Sequence, residues 1–211
     1  TEQSSPLGFL LLVPGLGLLA LDSVVRSDLL GAVGLVVALP GLSLLLLGTA
    51  RTRKLALPLA LAVFALPLPF AWLAPVHWVL QFVTAWATEH AIALTGMPIM
   101  RDGLVLYLPG SPVAIAEACS GYSAMFGAVT LALVLAYLGR SWPRRVLLVA
   151  AAPAIALVGN VLRAILLVLF VQWYGPGILD TPIHQLSGIV AFALTLAAIF
   201  ALAERSALRS G

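Results

Sequence analysis

Ala116-Glu117-Ala118-Cys119-Ser120-Gly121-Tyr122-Ser123 is the stretch around which this chain is organised. It joins an extended, polar-edged segment to a long apolar run, and it holds the single cysteine, two residues after a carboxylate. Two other residues are out of character with their surroundings: Arg163 lies inside an apolar run and His184 just before another. They can meet Cys119 only if the runs are helices that pack together.

Composition decides what those helices are. Of 211 residues, 62% are hydrophobic and 9% charged, and the mean hydropathy is +1.12. That excludes an ordinary soluble domain and indicates an integral membrane protein. At ~20 residues per span the length accommodates one bundle of about six spans and no additional soluble domain. The net charge of +3 implies no nucleic-acid partner, because the basic residues sit in short clusters between apolar runs, where membrane orientation accounts for them. One cysteine excludes an internal disulfide framework and a thiolate metal cluster; a packing residue or a reactive thiol remains. Three dispersed histidines lack ligand spacing, so neither metal nor other cofactor is expected. The chain opens on Thr1 rather than Met, which points to processing upstream. Leu7 to Leu21 lacks a basic n-region and a small-residue cleavage site, and no cleaved signal peptide is assigned.

The apolar runs are 7–21 (short for a span), 29–48, 55–73, 118–138, 146–173 and 186–203. Pro58, Pro67 and Pro69 should kink or break the third unless neighbouring helices satisfy the freed carbonyls. From Pro75 to Gly96 polar and aromatic residues interleave: His77, Gln81, Thr84 and Thr88 share one helical stripe beside Trp78, Phe82 and Trp86, which predicts an interfacial amphipathic helix carrying His77 and His90 on its polar face. Leu104 to Leu108 and Val113 to Ala116 flank a Pro/Gly turn and predict a small β-hairpin delivering the chain to Cys119. The expected fold is an all-α polytopic membrane protein of about six transmembrane helices, with one extracytoplasmic amphipathic helix and a small β-hairpin. It forms a single domain with N-terminal spans over 1–74, the amphipathic helix and hairpin over 75–116, and a three-span core over 117–205.

Short basic loops face the cytoplasm. Placing 51–54 and 140–145 on that side brings both termini inside and leaves Cys119 and His184 outside. Arg163 precedes Trp173 by ten residues, about 15 Å of helix, in the outer half of the bundle.

The chemistry that suits these groups is acyl transfer through a thiol. A thiolate needs a neighbouring cation or base to be populated near neutral pH. His184 is the candidate base and would later protonate the leaving amine. Arg163 can donate hydrogen bonds to the developing oxyanion. Glu117 can pair with Arg163 or His184, and Asn160, one turn before Arg163, can orient it or a substrate carbonyl. Ser120 and Ser123 are weaker nucleophiles that would need stronger activation. Each residue also has a plainer reading: a lone cysteine packs, Arg163 pairs with Glu117 or Asp180, and His184 caps a helix. On those readings the protein is a non-enzymatic transporter or assembly factor using Arg163, Glu117 and His184 as a polar pathway. A thiol acyltransferase acting on lipid or sugar is a further alternative.

Glu117-Ala118-Cys119-Ser120-Gly121 before a long apolar helix, Asn160-Val161-Leu162-Arg163 in the next, and His184 opening the last resemble the exosortase/archaeosortase family of membrane transpeptidases. The approach Gly96-Met97-Pro98-Ile99-Met100-Arg101-Asp102-Gly103 is also similar, and the resemblance covers Pro67 to Glu204; residues 1–66 match only as hydrophobic spans, as in a minimal or N-terminally shortened member. The resemblance implies a cysteine protease/transpeptidase with Cys119 as nucleophile, His184 as proton-transfer partner and Arg163 as oxyanion or thiolate stabiliser, supported by Glu117, Ser120 and Asn160. It implies a multi-pass protein of the cytoplasmic (inner) membrane with its active site on the extracytoplasmic side. The implied partner is the C-terminal sorting signal of exported proteins, of PEP-CTERM or PGF-CTERM type: a short motif, a transmembrane helix and a basic tail. The acyl group would pass to an amine, a lipid or water.

Overall fold

The computed structural model of the protein describes residues 5–66, 70–109, 111–115, 120–139 and 141–208. The chain divides into two compact units, residues 1–73 and 74–211.

The first unit is built on α1 (Phe9–Val25) and α2 (Asp28–Lys54). α1 ends at Arg26, which adopts the left-handed conformation at φ 54° and ψ 50°. Its N–H donates to the Asp22 carbonyl at 2.7 Å, and the Asp22 carboxylate accepts the N–H of Ser27 at 2.9 Å. The predicted polar break is therefore a tight turn between antiparallel helices. Their backbones touch: a Cβ added at Gly15 would lie 2.7 Å from Ala38 N, and one at Gly41 2.5 Å from Leu12 N. Close approach through small residues is how helices associate in lipid, where dispersion contacts replace the hydrophobic effect. At Gly48, where the sequence ends its second run, the backbone turns to φ 77° within α2. Ser43 and Thr52 join hydroxyls across that break at 2.9 Å.

The third predicted span is not one helix among the described residues. It comprises α3 (Ala56–Leu61), a 3-10 turn at Ala62–Ala65 and an extended Leu66 at φ −66° and ψ 127°. Leu66 has the conformation that a following proline imposes, and residues 67–69, with Pro67 and Pro69, lie outside the described residues.

Among the described residues, four helical stretches are long and apolar enough to cross a bilayer: Pro6–Val25, Leu29–Lys54, Trp142–Tyr174 and Pro182–Arg205. The first has 20 residues, so the shortness of the apolar run at 7–21 is made up by its flanks. Of the other two expected spans, one is the broken segment above and the other is the 17-residue apolar helix Tyr122–Leu138.

The second unit contains most of α4 (Phe70–Ala93), a sheet of β1 (Met100–Asp102), β2 (Val105–Leu108) and β3 (Ser111–Ala114), and helices α5 (Tyr122–Leu138), α6 (Trp142–Tyr174) and α7 (Pro182–Leu208). The sheet is antiparallel in the order β1-β2-β3, with Arg101 opposite Leu106 and Leu106 opposite Val113. The predicted hairpin is thus present with one more strand in front. Leu106, Leu108 and Val113 turn inward and, with Ile115, pack against Ala85 and Ile92 of α4 and Ala164, Val168 and Val171 of α6. Arg101 fastens β1 to α4, donating to Glu89 at 2.9 Å with its guanidinium 4.8 Å from the Phe82 ring centre.

The amphipathic-helix expectation is corrected here. α4 is a 24-residue helix whose polar stripe points into the protein: Thr84 and Thr88 are fully buried, whereas Trp72, Trp78 and Trp86 are exposed. A threonine is compatible with an interior position where its hydroxyl bonds across to a neighbouring helix, as Thr84 does with Asn160 of α6. In a membrane protein the aromatic side is the one suited to lipid.

α5, α6 and α7 pack through small residues. Ala128 and Ala132 of α5 and Ala152 and Ala156 of α6 form one buried cluster with Leu148, Ile199 and Ala203. The repeat of four places these alanines on one ridge per helix. At this end Arg144 donates to the Ala203 carbonyl of α7 at 2.6 Å, and Arg145 to the Gly139 carbonyl that closes α5 at 2.9 Å. The second basic cluster therefore donates to backbone carbonyls of α7 and of the residue closing α5 besides carrying charge.

Replacing Gly41 by Leu should cost about 1–3 kcal/mol, since the added atoms meet the backbone of α1 rather than a side chain that can yield. Thermal melts in detergent should show the loss, with Gly17→Leu as the control, because a Cβ at Gly17 meets nothing within 4 Å.

Candidate functional site

A cavity of about 670 Å³ opens among α4, the start of α5, α6 and α7, lined by residues that include His77, Ser120, Tyr122, Asn160, Arg163 and Gly188. Its walls are built by three local devices.

The first is the entry to α5. Gly121 precedes the helix in the left-handed conformation at φ 74°, and a Cβ there would come within 2.6 Å of Asn160 Cγ. Only glycine meets both conditions without strain. The Ser120 hydroxyl turns back over this entry: its Oγ accepts the Tyr122 N–H at 3.3 Å and lies 3.1 Å from His77 Nδ1. The Tyr122 ring packs on the His77 ring with centroids 4.6 Å apart and planes 35° from parallel.

The second is Asn160 of α6. It is buried and donates from Nδ2 to Thr84 Oγ1 of α4 at 3.1 Å. Wedged also against Gly121, it joins α4, the α5 entry and α6.

The third is Arg163, one turn further along α6. The guanidinium lies over Gly188 of α7, where a Cβ would be 3.3 Å from Cζ. Its Nε donates to Ser187 Oγ at 3.3 Å, and its Nη2 to the His184 carbonyl at 3.4 Å. Ser187 also donates to that carbonyl, at 2.7 Å. On its far side Arg163 borders a second, apolar groove of about 440 Å³ between α6 and α7, lined by Leu162, Leu166, Phe170, Leu186 and Val190 among others.

Of the residues singled out from sequence as candidates for the chemistry, Arg163, Asn160, Ser120 and Ser123 line this cavity. His184 stands in the first turn of α7 and touches Arg163 through its backbone carbonyl. Its ring is not among the described residues that line the cavity wall. Cys119 and Glu117 lie outside the described residues; the described chain resumes at Ser120, the covalent neighbour of Cys119. Sequence reasoning did not assign His77, Thr84, Gly121 or Gly188 to the site. The stripe 77/81/84/88 was a signal for the first two, and its inward direction was missing.

The wall carries no titratable groups among the described residues besides His77, Tyr122 and Arg163. It therefore offers a guanidinium, an imidazole, a phenol and a carboxamide around a space large enough for several residues of extended peptide.

Thr84→Val should cost about 1–3 kcal/mol, because Asn160 loses its acceptor inside the protein. Thr88→Val, one turn along the same face, should be neutral or stabilising, since the buried Thr88 hydroxyl has no hydrogen-bond partner among the described residues. Paired melting curves of the two variants measure the difference.

Comparison with protein families matches residues 1–201 to the family model described as transmembrane exosortase. The match begins 66 residues before the stretch over which the motifs were read in the sequence. No curated protein matches, and neither does any solved structure.

Proposed function

Since this chain belongs to the transmembrane exosortase family of sortase-like membrane transpeptidases, we propose that it cleaves the C-terminal sorting signals of exported proteins by acyl transfer through Cys119. Signals of the PEP-CTERM or PGF-CTERM type, with a motif, a transmembrane helix and a basic tail, are the substrates. The observation that carries this reading is the cavity holding Arg163 beside Ser120, the residue that follows the cysteine.

Cys119 is the nucleophile, and the thioester it forms with the substrate carbonyl divides one difficult step into two easier ones. Arg163 donates to the oxyanion that develops on that carbonyl. In an apolar bundle such a donor is worth more than in water, since the surrounding dielectric is low. His184 is the proton-transfer partner that takes up the thiol proton, next to the guanidinium its own carbonyl helps to hold. Asn160 orients the scissile segment, and Glu117 contributes charge close to the cysteine in sequence.

The membrane orientation follows from charge. Arg144 and Arg145 sit at one end of α6, while Arg163 lies ten residues before Trp173 at the other, about 15 Å along the helix. With the basic end in the cytoplasm, the cavity opens toward the extracytoplasmic face of the inner membrane, where an exported protein presents its motif.

The test uses purified wild type, Cys119→Ala and Arg163→Lys with synthetic peptides carrying a motif, a transmembrane helix and a basic tail. Intact mass should reveal a hydroxylamine-labile adduct equal to the N-terminal peptide fragment in wild type and none in Cys119→Ala. Arg163→Lys, which keeps the charge and loses the planar fork, should form it roughly 100-fold more slowly. Absence of adduct with every motif, together with normal function of Cys119→Ala in cells, would sink the reading.

A further inference from the structure

The cavity holds an imidazole that the reading above leaves unused. His77 comes from α4, across the cavity from the α7 helix that carries His184, and its ring is fixed on two sides. Nδ1 meets Ser120 Oγ at 3.1 Å, and one face packs on Tyr122 with centroids 4.6 Å apart. We infer that His77 is a further catalytic residue, the group that protonates the leaving amine and deprotonates the incoming nucleophile. This rests on the thiol acyl transfer proposed above.

The Ser120 hydroxyl selects which nitrogen does this. A hydroxyl oxygen has two acceptor positions. One is taken by the Tyr122 N–H at 3.3 Å, and the other can receive Nδ1–H of His77. That hydrogen bond exists in both charge states of the ring: in the imidazolium, and in the neutral tautomer with the proton on Nδ1. The proton therefore comes and goes at Nε2, and the ring need not rotate between the two half-reactions. Hydroxyls and carbonyls that hold one ring nitrogen while the other works have this effect wherever histidine acts as acid and base.

The cycle balances. It begins with the sulfur as thiolate, its proton taken by His184, and with His77 as imidazolium, charged by a proton from solvent. The thiolate attacks the carbonyl carbon, forming the C–S bond and an oxyanion. As the oxyanion collapses, the C–N bond breaks and the leaving nitrogen takes the Nε2 proton. Neutral His77 then takes a proton from the incoming amine or water while that group attacks the thioester carbonyl. The C–S bond breaks, and thiolate and imidazolium return together. No oxidant, reductant or metal is required. Among the described residues, the charged or titratable groups sharing the cavity wall with His77 are Tyr122 from α5 and Arg163 from α6; α7 contributes Gly188, Ala191, Phe192 and Thr195, none of them ionisable. His184, outside that wall among the described residues, keeps the thiol proton as its task.

A change of leaving group tests this. A peptide amide needs its nitrogen protonated before it can leave, whereas an activated ester of the same acyl group does not. Acylation of Cys119 by each is followed by intact mass for wild type, His77→Asn and Ser120→Ala. Asn retains a polar group near the position of Nδ1 and cannot carry the proton. The expected result for His77→Asn is amide acylation slowed roughly 100-fold or more, with ester acylation within about threefold of wild type. Ser120→Ala, which keeps the imidazole and loses its fixing hydroxyl, should shift the amide-to-ester ratio the same way and by less. Equal losses on both substrates in correctly melting protein would overturn the inference, because they mean that His77 only shapes the loop or serves the thiol. Unchanged amide acylation would overturn it too. Should His77→Asn fail to fold, the Ser120→Ala ratio decides, an unaltered ratio counting against the inference. If neither substrate acylates wild-type Cys119, the thiol reading itself fails and this inference falls with it.

Discussion

A guanidinium that cannot give up its proton sits within the apolar helix α6, and the opening turns of α7 are arranged to receive it. An ionised group among lipid-facing helices is costly unless it is hydrogen-bonded or opens on a polar space. Arg163 has both forms of relief. Ser187 and the His184 carbonyl accept from it on one side, and the cavity lies on the other. Gly188 completes the arrangement by having no side chain where the guanidinium lies. The three α7 positions are 184, 187 and 188, one helical face, so the register of α7 against α6 is tied to the charge. The same face continues to Thr195, against which Gly159 of α6 packs closely.

Such a fit requires helices that approach one another more closely than large side chains allow. α5 and α6 meet through alanines at intervals of four, and α1 and α2 through glycines and Ala38. Each of these surfaces contributes dispersion contacts without side-chain ordering entropy, a favourable exchange where no hydrophobic effect operates between helices. Larger residues fill the layer under the sheet, where Ile92, Leu106, Ile115 and Val168 occupy the space between α4, α6 and the strands. The sheet is thereby seated at the Arg163 end of α6, and the strand that precedes Cys119 in sequence is anchored there.

Much of this was legible in the residues. Four of the expected spans are long apolar helices, Gly48 marks the end of regular geometry in α2, and the Pro/Gly turn marks the hairpin, because each depends on local chemistry: hydropathy over ~20 residues, a positive φ, a missing donor. Arg163 and Asn160 were legible for the same reason, one helical turn apart in an otherwise apolar run. The direction of α4 was not. A stripe of His, Gln and Thr has the same period whether it faces headgroups or protein, and only the partners decide. Those partners, Ser120 and Asn160, lie 43 and 76 residues away from His77 and Thr84. The third strand was missed because Met100-Arg101-Asp102 is polar; its place in the sheet is secured by the Arg101–Glu89 pair and Phe82 rather than by strand propensity.

The charge pattern of the cavity explains why a thiol suits it better than a hydroxyl. Arg163 is a cation in a wall whose other described titratable groups are His77 and Tyr122, and at short range in a medium of low dielectric it favours a negative charge throughout the proposed reaction. In the thiol reaction proposed above, the cysteine brings that charge as a thiolate before attack. On that proposal the attack moves the charge from sulfur to the carbonyl oxygen without changing its total, so a donor that stabilises it before the reaction has little to reorganise. Ser120 and Ser123, one and four residues beyond Cys119 in the chain, would have to create the anion anew in each cycle, against the far lower acidity of a hydroxyl. Ser120, which lines the wall together with Ser123, is used in another way: its oxygen accepts the Tyr122 N–H and lies 3.1 Å from His77 Nδ1, which suits it to hold the ring in the inference drawn above. On the proposed mechanism the two chemistries are separated by residue type, the sulfur for bonding to carbon and the hydroxyl for holding the ring that moves the proton.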